Sequence, residues 1–159
     1  MKLKVLYGCF ILYTMVHLVF FFGNENQIVE SITLKADPIV LALFSLMGLF
    51  PLWFFVSLSR QYQLAKKDYL YLVTSFFIGA YALTPFFFHS HVEKPYKKSF
   101  KTIDGLFLMV FLIILAYGFI FGDVQTYFQW FQSDSFIHIM TLDFLLLLVL
   151  SIHKLKQTT

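Results

Sequence analysis

Two ionisable side chains inside an apolar stretch near the end of the chain are the residues most able to do chemistry. Residues 136–153 are rich in leucine, isoleucine and phenylalanine, yet they contain Asp143 near the middle and His138 one turn from the start. An aspartate at the centre of a membrane helix costs about 2.5–3.5 kcal/mol to insert. Asp143 therefore predicts either a functional site or a buried hydrogen bond to another helix.

Asp143 and His138 do not form a pair on their own helix. Because an α-helix has about 3.6 residues per turn, a spacing of five places the two side chains about 140° apart. His138 shares its face with Thr141, so Asp143 must be protonated or find a partner on another helix. His17 is one candidate partner. The other candidates are Tyr13, Thr14, Ser45, Thr74, Ser75 and Tyr117. We predict an intramembrane polar site formed by Asp143, His138, His17 and Thr141, or hydrogen bonds that fix helix packing.

Cofactor and metal chemistry have weaker support in the sequence. Helical histidines can serve as axial haem ligands, and two of His17, His138 and His153 could do so. His89 and His91 form an HxH pair, but the neighbouring lysines repel a cation. The sequence contains no Ser-His-Asp, HExxH or Gly-rich phosphate-loop motif. We predict no metal and no cofactor, with a haem or pigment as the alternative.

The composition indicates a single membrane domain. Of the 159 residues, 59% are hydrophobic and 13% are charged, whereas soluble domains are about half apolar and a quarter charged. The mean hydropathy is +0.75. One cysteine, Cys9, excludes an intrachain disulfide. The net charge of +3 lies in short loops and tails, which favours contact with a lipid bilayer and not with nucleic acid.

Five apolar segments have the length of membrane helices. They are residues 5–22, 38–58, 69–88, 105–121 and 136–153. Asp37 before Pro38 predicts a helix N-cap and first helical residue, and Asp104 is the predicted cap of the fourth helix. Residues 124–132 have one apolar face and predict a short interfacial helix. We predict an all-α polytopic integral membrane helix bundle over residues 1–159, with about five transmembrane helices.

The distribution of basic residues conflicts with five crossings. Five spans leave five Lys and Arg residues on the N-terminal side and seven on the other, almost without the bias of the positive-inside rule. If residues 69–88 enter and return, one side has eleven and the other only Lys35. Twenty helical residues nevertheless extend about 30 Å, a full hydrocarbon thickness. We predict five spans and keep four as the alternative.

Several short motifs resemble those of a known group of proteins. They are Asp37-Pro38, Ala42-Leu43-Phe44, Met47-Gly48, Pro51, Gly122-Asp123 and the stretch Ser135-Phe136-Ile137-His138-Ile139-Met140-Thr141-Leu142-Asp143-Phe144. From about residue 37 onward, the chain resembles small polytopic membrane proteins of cyanobacteria, with relatives in chloroplasts, to which no activity is assigned. The resemblance implies a thylakoid or plasma membrane location. It implies no catalytic residues.

The sequence favours a protein that packs against others over an enzyme. Ala42, Ser45 and Gly48 form a small-residue face where another helix can approach closely. We therefore predict a non-enzymatic accessory or assembly protein with other membrane proteins as partners. The alternative is a small membrane enzyme or transporter with a site around Asp143 and His138. A shared polar cavity would favour that site, whereas a bond from Asp143 to a neighbouring helix would favour packing.

Overall fold

The structure is a computed structural model that describes residues 2–20, 28–94 and 100–158, with side chains described at 3–20, 28–94 and 102–154. Nearly all of this part of the chain is helical. The α-helices are α1 (Lys2–Phe20), α2 (Ile28–Ile32), α3 (Pro38–Gln61), α4 (Lys66–Ile78), α5 (Ala80–Leu83), α6 (Phe100–Phe121), α7 (Val124–Ser133) and α8 (Ser135–Thr158). A 3₁₀ helix, Thr84–Phe88, follows α5, and the short strands are β1 (Tyr62–Gln63) and β2 (Val92–Glu93).

Among the described residues, four helices are long and apolar enough to cross a membrane. They are Leu3–Phe20, Pro38–Gln61, Thr102–Phe121 and Ser135–Lys154. These four match the predicted first, second, fourth and fifth segments, with ends that differ by a few residues. Residues 21 and 22 of the predicted first helix lie outside the described residues. The prediction of a fifth long helix is wrong.

The predicted third span, residues 69–88, is a broken hairpin and not one helix. Helix α4 ends at Ile78, Gly79 has a φ of +55°, and α5 and the 3₁₀ helix follow. Strands β1 and β2 flank this segment and pair antiparallel, with Tyr62 opposite Glu93. The segment therefore begins and ends at the same end of the bundle, which we call the strand end.

The central helix of the bundle is α3, which packs against α4, α6, α7 and α8. Its most buried large side chains, each at most 1% exposed, are Val40, Leu46, Phe50, Phe54 and Leu58. Pro51 lies inside α3 and is itself buried. Buried aliphatic and aromatic side chains on more than one face suit a helix that packs against several neighbours.

Gly118 in α6 and Gly122, directly after it, allow α6 to lie close against the start of α3. A Cβ at Gly118 would lie 2.8 Å from the Ala42 Cβ, and a Cβ at Gly122 would lie 2.6 Å from the Ile39 Cγ1. Both distances are too short for non-bonded carbon atoms, so larger residues at these positions would push the helices apart. Gly48, one turn and a half beyond Ala42, has open space around its Cβ position.

The two predicted caps have different outcomes. Asp37 Oδ1 accepts a hydrogen bond from the Ile39 amide at 2.8 Å, as an N-cap does. Asp37 Oδ2 also accepts from the Asp123 amide at 3.1 Å, which joins the starts of α3 and α7. The prediction for Asp104 is wrong, because α6 begins at Phe100 and Asp104 lies inside it. Asp104 instead accepts a hydrogen bond from Trp53.

Helix α7 occupies residues 124–133, one residue beyond the predicted interfacial helix. Asp123 caps it by accepting hydrogen bonds from the Gln125 amide and the Thr126 hydroxyl at 2.9 and 2.7 Å. These bonds stabilise the carboxylate and lower the pKa of Asp123. Tyr127 and Phe131 pack toward the core, so the end of the bundle opposite the strands, which we call the α7 end, has an amphipathic cover.

Candidate functional site

Asp143 caps the broken hairpin from a different helix. Its Oδ1 accepts a hydrogen bond from the Ala80 amide at 2.8 Å. The first amides of a helix have no carbonyl acceptors within that helix. In an apolar interior such orphan amides are costly, so α8 supplies the acceptor that α5 lacks. The side chain of Asp143 is 2% exposed.

Gly79 makes this contact possible. A Cβ at this position would lie 1.7 Å from the Asp143 Oδ2, well inside any allowed contact. Its φ of +55° and ψ of −130° also belong to a region that side-chain-bearing residues rarely adopt. Oδ2 is buried against this glycine and has no hydrogen-bond partner among the described residues.

The contact lies near the middle of α8. With a rise of 1.5 Å per residue, Asp143 is about 12 Å from Ser135 and about 16 Å from Lys154 along the axis. The thirteen residues of α4 extend about 20 Å from the strand end. The turn at Gly79 is thus at a similar depth to Asp143, deep inside the bundle.

Helix α1 holds the other side of α5 through Tyr81. Tyr7 donates its hydroxyl to the Tyr81 carbonyl at 2.7 Å. The Thr14 hydroxyl donates to the Phe10 carbonyl, so the 2.5 Å bond between the Thr14 and Tyr81 hydroxyls has Tyr81 as its donor. The Phe10 and Tyr81 rings lie 4.6 Å apart. The hairpin is therefore fixed between α1 and α8.

His138 belongs to a separate cluster at the α7 end. Its Nδ1 lies 2.9 Å from the Phe131 carbonyl, which can only accept, so Nδ1 carries a proton. Its Nε2 lies 2.7 Å from the Tyr13 hydroxyl, which donates to it when the imidazole is neutral. The His17 ring stacks on one face of His138 at 4.2 Å and the Phe131 ring on the other at 4.4 Å. Aromatic stacking and two hydrogen bonds thus fix the imidazole.

The four predicted site residues therefore occupy three places. His17 and His138 stack on each other, but Asp143 contacts the hairpin and not either histidine. Thr141 donates to the Ile137 carbonyl at 2.6 Å and so accepts from the Tyr127 hydroxyl at 2.7 Å. It joins α7 to α8 and does not extend a polar site.

Neither histidine pair presents a converging set of ligands. The His17 and His138 planes differ by 7°, so their in-plane nitrogen lone pairs run parallel and do not meet at one ion. His89 bonds the Pro85 carbonyl and His91 lies 3.4 Å from Asp68. Within the described residues, no group of three or more His, Cys, Asp and Glu side chains could hold a metal ion.

Lys154 belongs to a buried cluster that was not predicted from the sequence. It is 3% exposed, and its ammonium lies 3.9 Å from the centre of the Trp53 ring and bonds the Ser57 hydroxyl. Trp53 donates its indole N–H to Asp104 at 2.8 Å. A lysine after a long apolar run has the pattern of an exposed charge in a terminal tail. The sequence therefore gives no signal that Lys154 is buried over an aromatic ring in a cation–π contact.

Gly79 and Pro85 interrupt the apolar run of residues 69–88 and are the sequence signal for the hairpin break. The same run also contains Ser75 and Gly79 at the spacing of a helix contact face, so the signal is ambiguous. No protein-family model, curated protein or solved structure matches the chain.

Proposed function

We propose that this chain is an integral membrane protein that crosses the bilayer four times and carries a re-entrant hairpin. The pairing of β1 with β2 supports this topology, because it brings both ends of the hairpin together. Non-helical backbone is tolerated at membrane depth where protein covers it, and α1, α3 and α8 pack around the hairpin. Eleven of the twelve Lys and Arg residues then belong to the strand side, which the positive-inside rule assigns to the cytoplasmic or stromal face.

Single-cysteine labelling in a Cys9→Ser background tests this topology. We expect Gln63→Cys and Glu93→Cys to react with a membrane-impermeant maleimide from the same side of sealed vesicles, because their strands pair. Gln125→Cys, at the start of α7, is the matched control and should react only from the opposite side. Reaction of the two strand positions from opposite sides would restore five spans.

Within that membrane topology, the protein acts as a non-enzymatic accessory or assembly factor that packs against other membrane proteins. The use of Asp143 supports this role: the most unusual polar residue stabilises the hairpin, and His138 is engaged separately. The cavity between α3, α6, α7 and α8 is lined almost wholly by apolar atoms, and neither residue lines it. The thylakoid or plasma membrane location rests on the resemblance of the sequence motifs.

The outer surface of the bundle supports a packing role. Only 6% of the α1 and α6 spans is buried, against 50% of α3 and α8. Part of α3 is also open, because Ser45 and Gly48 are exposed and no atom of the described residues lies within 4 Å of a Cβ at Gly48. Small residues on an exposed membrane helix permit another helix to approach closely.

Gly48→Leu tests the partner surface without disturbing the fold. The new side chain has space in the isolated chain, and leucine favours helix more than glycine, so the unfolding midpoint should not fall. We expect blue native electrophoresis in mild detergent to show a complex for the wild type and about tenfold less of it for Gly48→Leu. Gly105→Leu, equally open but on α6, is the control that keeps the complex.

Two results would contradict this proposal. A wild-type protein that migrates only as a monomer would exclude the accessory role. Equal complex in wild type and Gly48→Leu would exclude the α3 face as the contact.

The second candidate function is a membrane enzyme or transporter that handles a proton or ligand at Asp143. The buried Oδ2 without a hydrogen-bond partner among the described residues favours it. This function requires the ionisable carboxyl itself, whereas the cap requires only an acceptor oxygen.

A further inference from the structure

An apolar cleft of about 250 Å³ lies between α3, α6, α7 and α8 near the α7 end. Ala42 and Gly118 form its floor, because their small side chains let α3 and α6 touch without filling the space above. Phe119, Phe128 and Leu145 form the walls and are 49–66% exposed. The cleft is therefore concave and open on one side.

The cleft is lined by apolar side chains, and the hydroxyl groups among its lining residues already have hydrogen-bond partners. Its two hydroxyl groups bond each other, since Tyr127 donates to Thr141 and Thr141 donates to the Ile137 carbonyl. A polar ligand would find no unpaired partner on these residues, and burying it there would cost free energy. An unbranched apolar chain suits such a surface.

The charges around the cleft select among amphiphiles. Asp37 and Asp123 flank the contact of α3 with α7, and the exposed Gln125 continues this polar rim. Within the described residues, Lys35 is the one Lys or Arg in the connectors at this end of the bundle. The two carboxylates repel an anionic headgroup, do not repel an uncharged one, and attract the ammonium of a zwitterionic one.

We propose that this cleft binds one acyl chain of a membrane lipid whose headgroup has no net negative charge. The chain lies between α6 and α8, and the headgroup lies over the start of α7. Helix α7 closes the end of the cleft, so the lipid is held on three sides and exchanges more slowly than lipid around α1. This proposal rests on the four-span membrane topology.

Photo-crosslinking tests the site. The protein is placed in phosphatidylcholine nanodiscs, and the probe is a trace of phosphatidylcholine with a diazirine in the middle of one acyl chain. We expect peptides with Phe119, Phe128 and Leu145 to be labelled above the exposed faces of α1. Leu145→Trp should lower this labelling about tenfold, because the larger side chain displaces about two methylene groups of the acyl chain and their burial accounts for about a tenfold change in affinity. Val149→Trp is the control, an exposed α8 position outside the cleft, and keeps it.

The outcomes separate the cleft from the topology. Labelling that is uniform over α1, α6 and α8, or unchanged in Leu145→Trp, would overturn the lipid site while leaving the membrane helices intact. Absence of labelling on α1 and α6 would overturn membrane insertion itself. Leu145→Ala guards against misfolding, since it opens the cleft and should retain the probe. A phosphatidylglycerol probe that labels the cleft as strongly as phosphatidylcholine would overturn the headgroup preference.

Discussion

Gly79→Ala should destabilise this protein more than any other substitution that adds a single methyl group. The backbone at Gly79 lies where a side chain is strained, at a cost of about 1–3 kcal/mol. The new Cβ would also displace the Asp143 carboxylate and leave the Ala80 amide unbonded, which costs about 1–3 kcal/mol more. We therefore expect the free energy of unfolding to fall by about 2–6 kcal/mol, measured by SDS titration in mixed micelles.

Gly105→Ala is the matched control for this prediction. Gly105 lies inside α6, and a Cβ there would meet no atom within 4 Å. Alanine favours the helix over glycine by about 1 kcal/mol, so this variant should be as stable as the wild type or more stable. If Gly79→Ala unfolds at the wild-type SDS fraction, Gly79 does not have a positive φ and does not lie against the Asp143 carboxylate.

The long helices could be predicted because each carries its own signal. Runs of about twenty apolar residues gave α1, α3, α6 and α8, and Asp37 with Pro38 located the start of α3. The local pattern failed for residues 69–88, because a broken hairpin and a continuous span can have the same length and hydropathy. What separates them is the pairing of β1 with β2, a contact between residues about thirty positions apart.

The basic residues favoured the four-span alternative, which agrees with the broken hairpin, and a backbone argument weighed against it. A hairpin inside the membrane was expected to leave amides unpaired, yet Asp143 on α8 supplies the acceptor for Ala80. The sequence also predicted that Asp143 needs a partner on another helix. Every candidate was a side chain, whereas the partner is a backbone amide, which no residue type reveals.

The polar site could be predicted only in part, because the partners of its residues depend on how the helices pack. His17 was considered as a partner of Asp143, but in the structure it stacks on His138. Their contact depends on how α1 packs beside α8, and neither helix has a strong amphipathic pattern that would fix its rotation. Tyr13 and Thr14, neighbours in sequence, bond different partners on α8 and α5.

Asp143→Leu should destabilise the protein strongly, whereas Asp143→Asn should not. Leucine removes the acceptor of the Ala80 amide and places a branched side chain against Gly79. An unpaired amide and an overpacked contact together cost about 2–6 kcal/mol. Asparagine keeps an acceptor oxygen of the same size, so the expected loss is about 1 kcal/mol. SDS titration of the two variants beside the wild type measures the difference.

Asparagine also separates the two candidate functions, because it retains the acceptor and removes the ionisable proton. If Asp143 is a cap, Asp143→Asn keeps the native complex on blue native gels and complements loss of the wild-type gene. If the carboxyl carries a proton or a ligand, the same variant folds and assembles but fails to complement. Folding without function in Asp143→Asn would thus replace the accessory role with a site at the hairpin, and equal failure of both variants to fold would show that the Ala80 bond requires a carboxyl group.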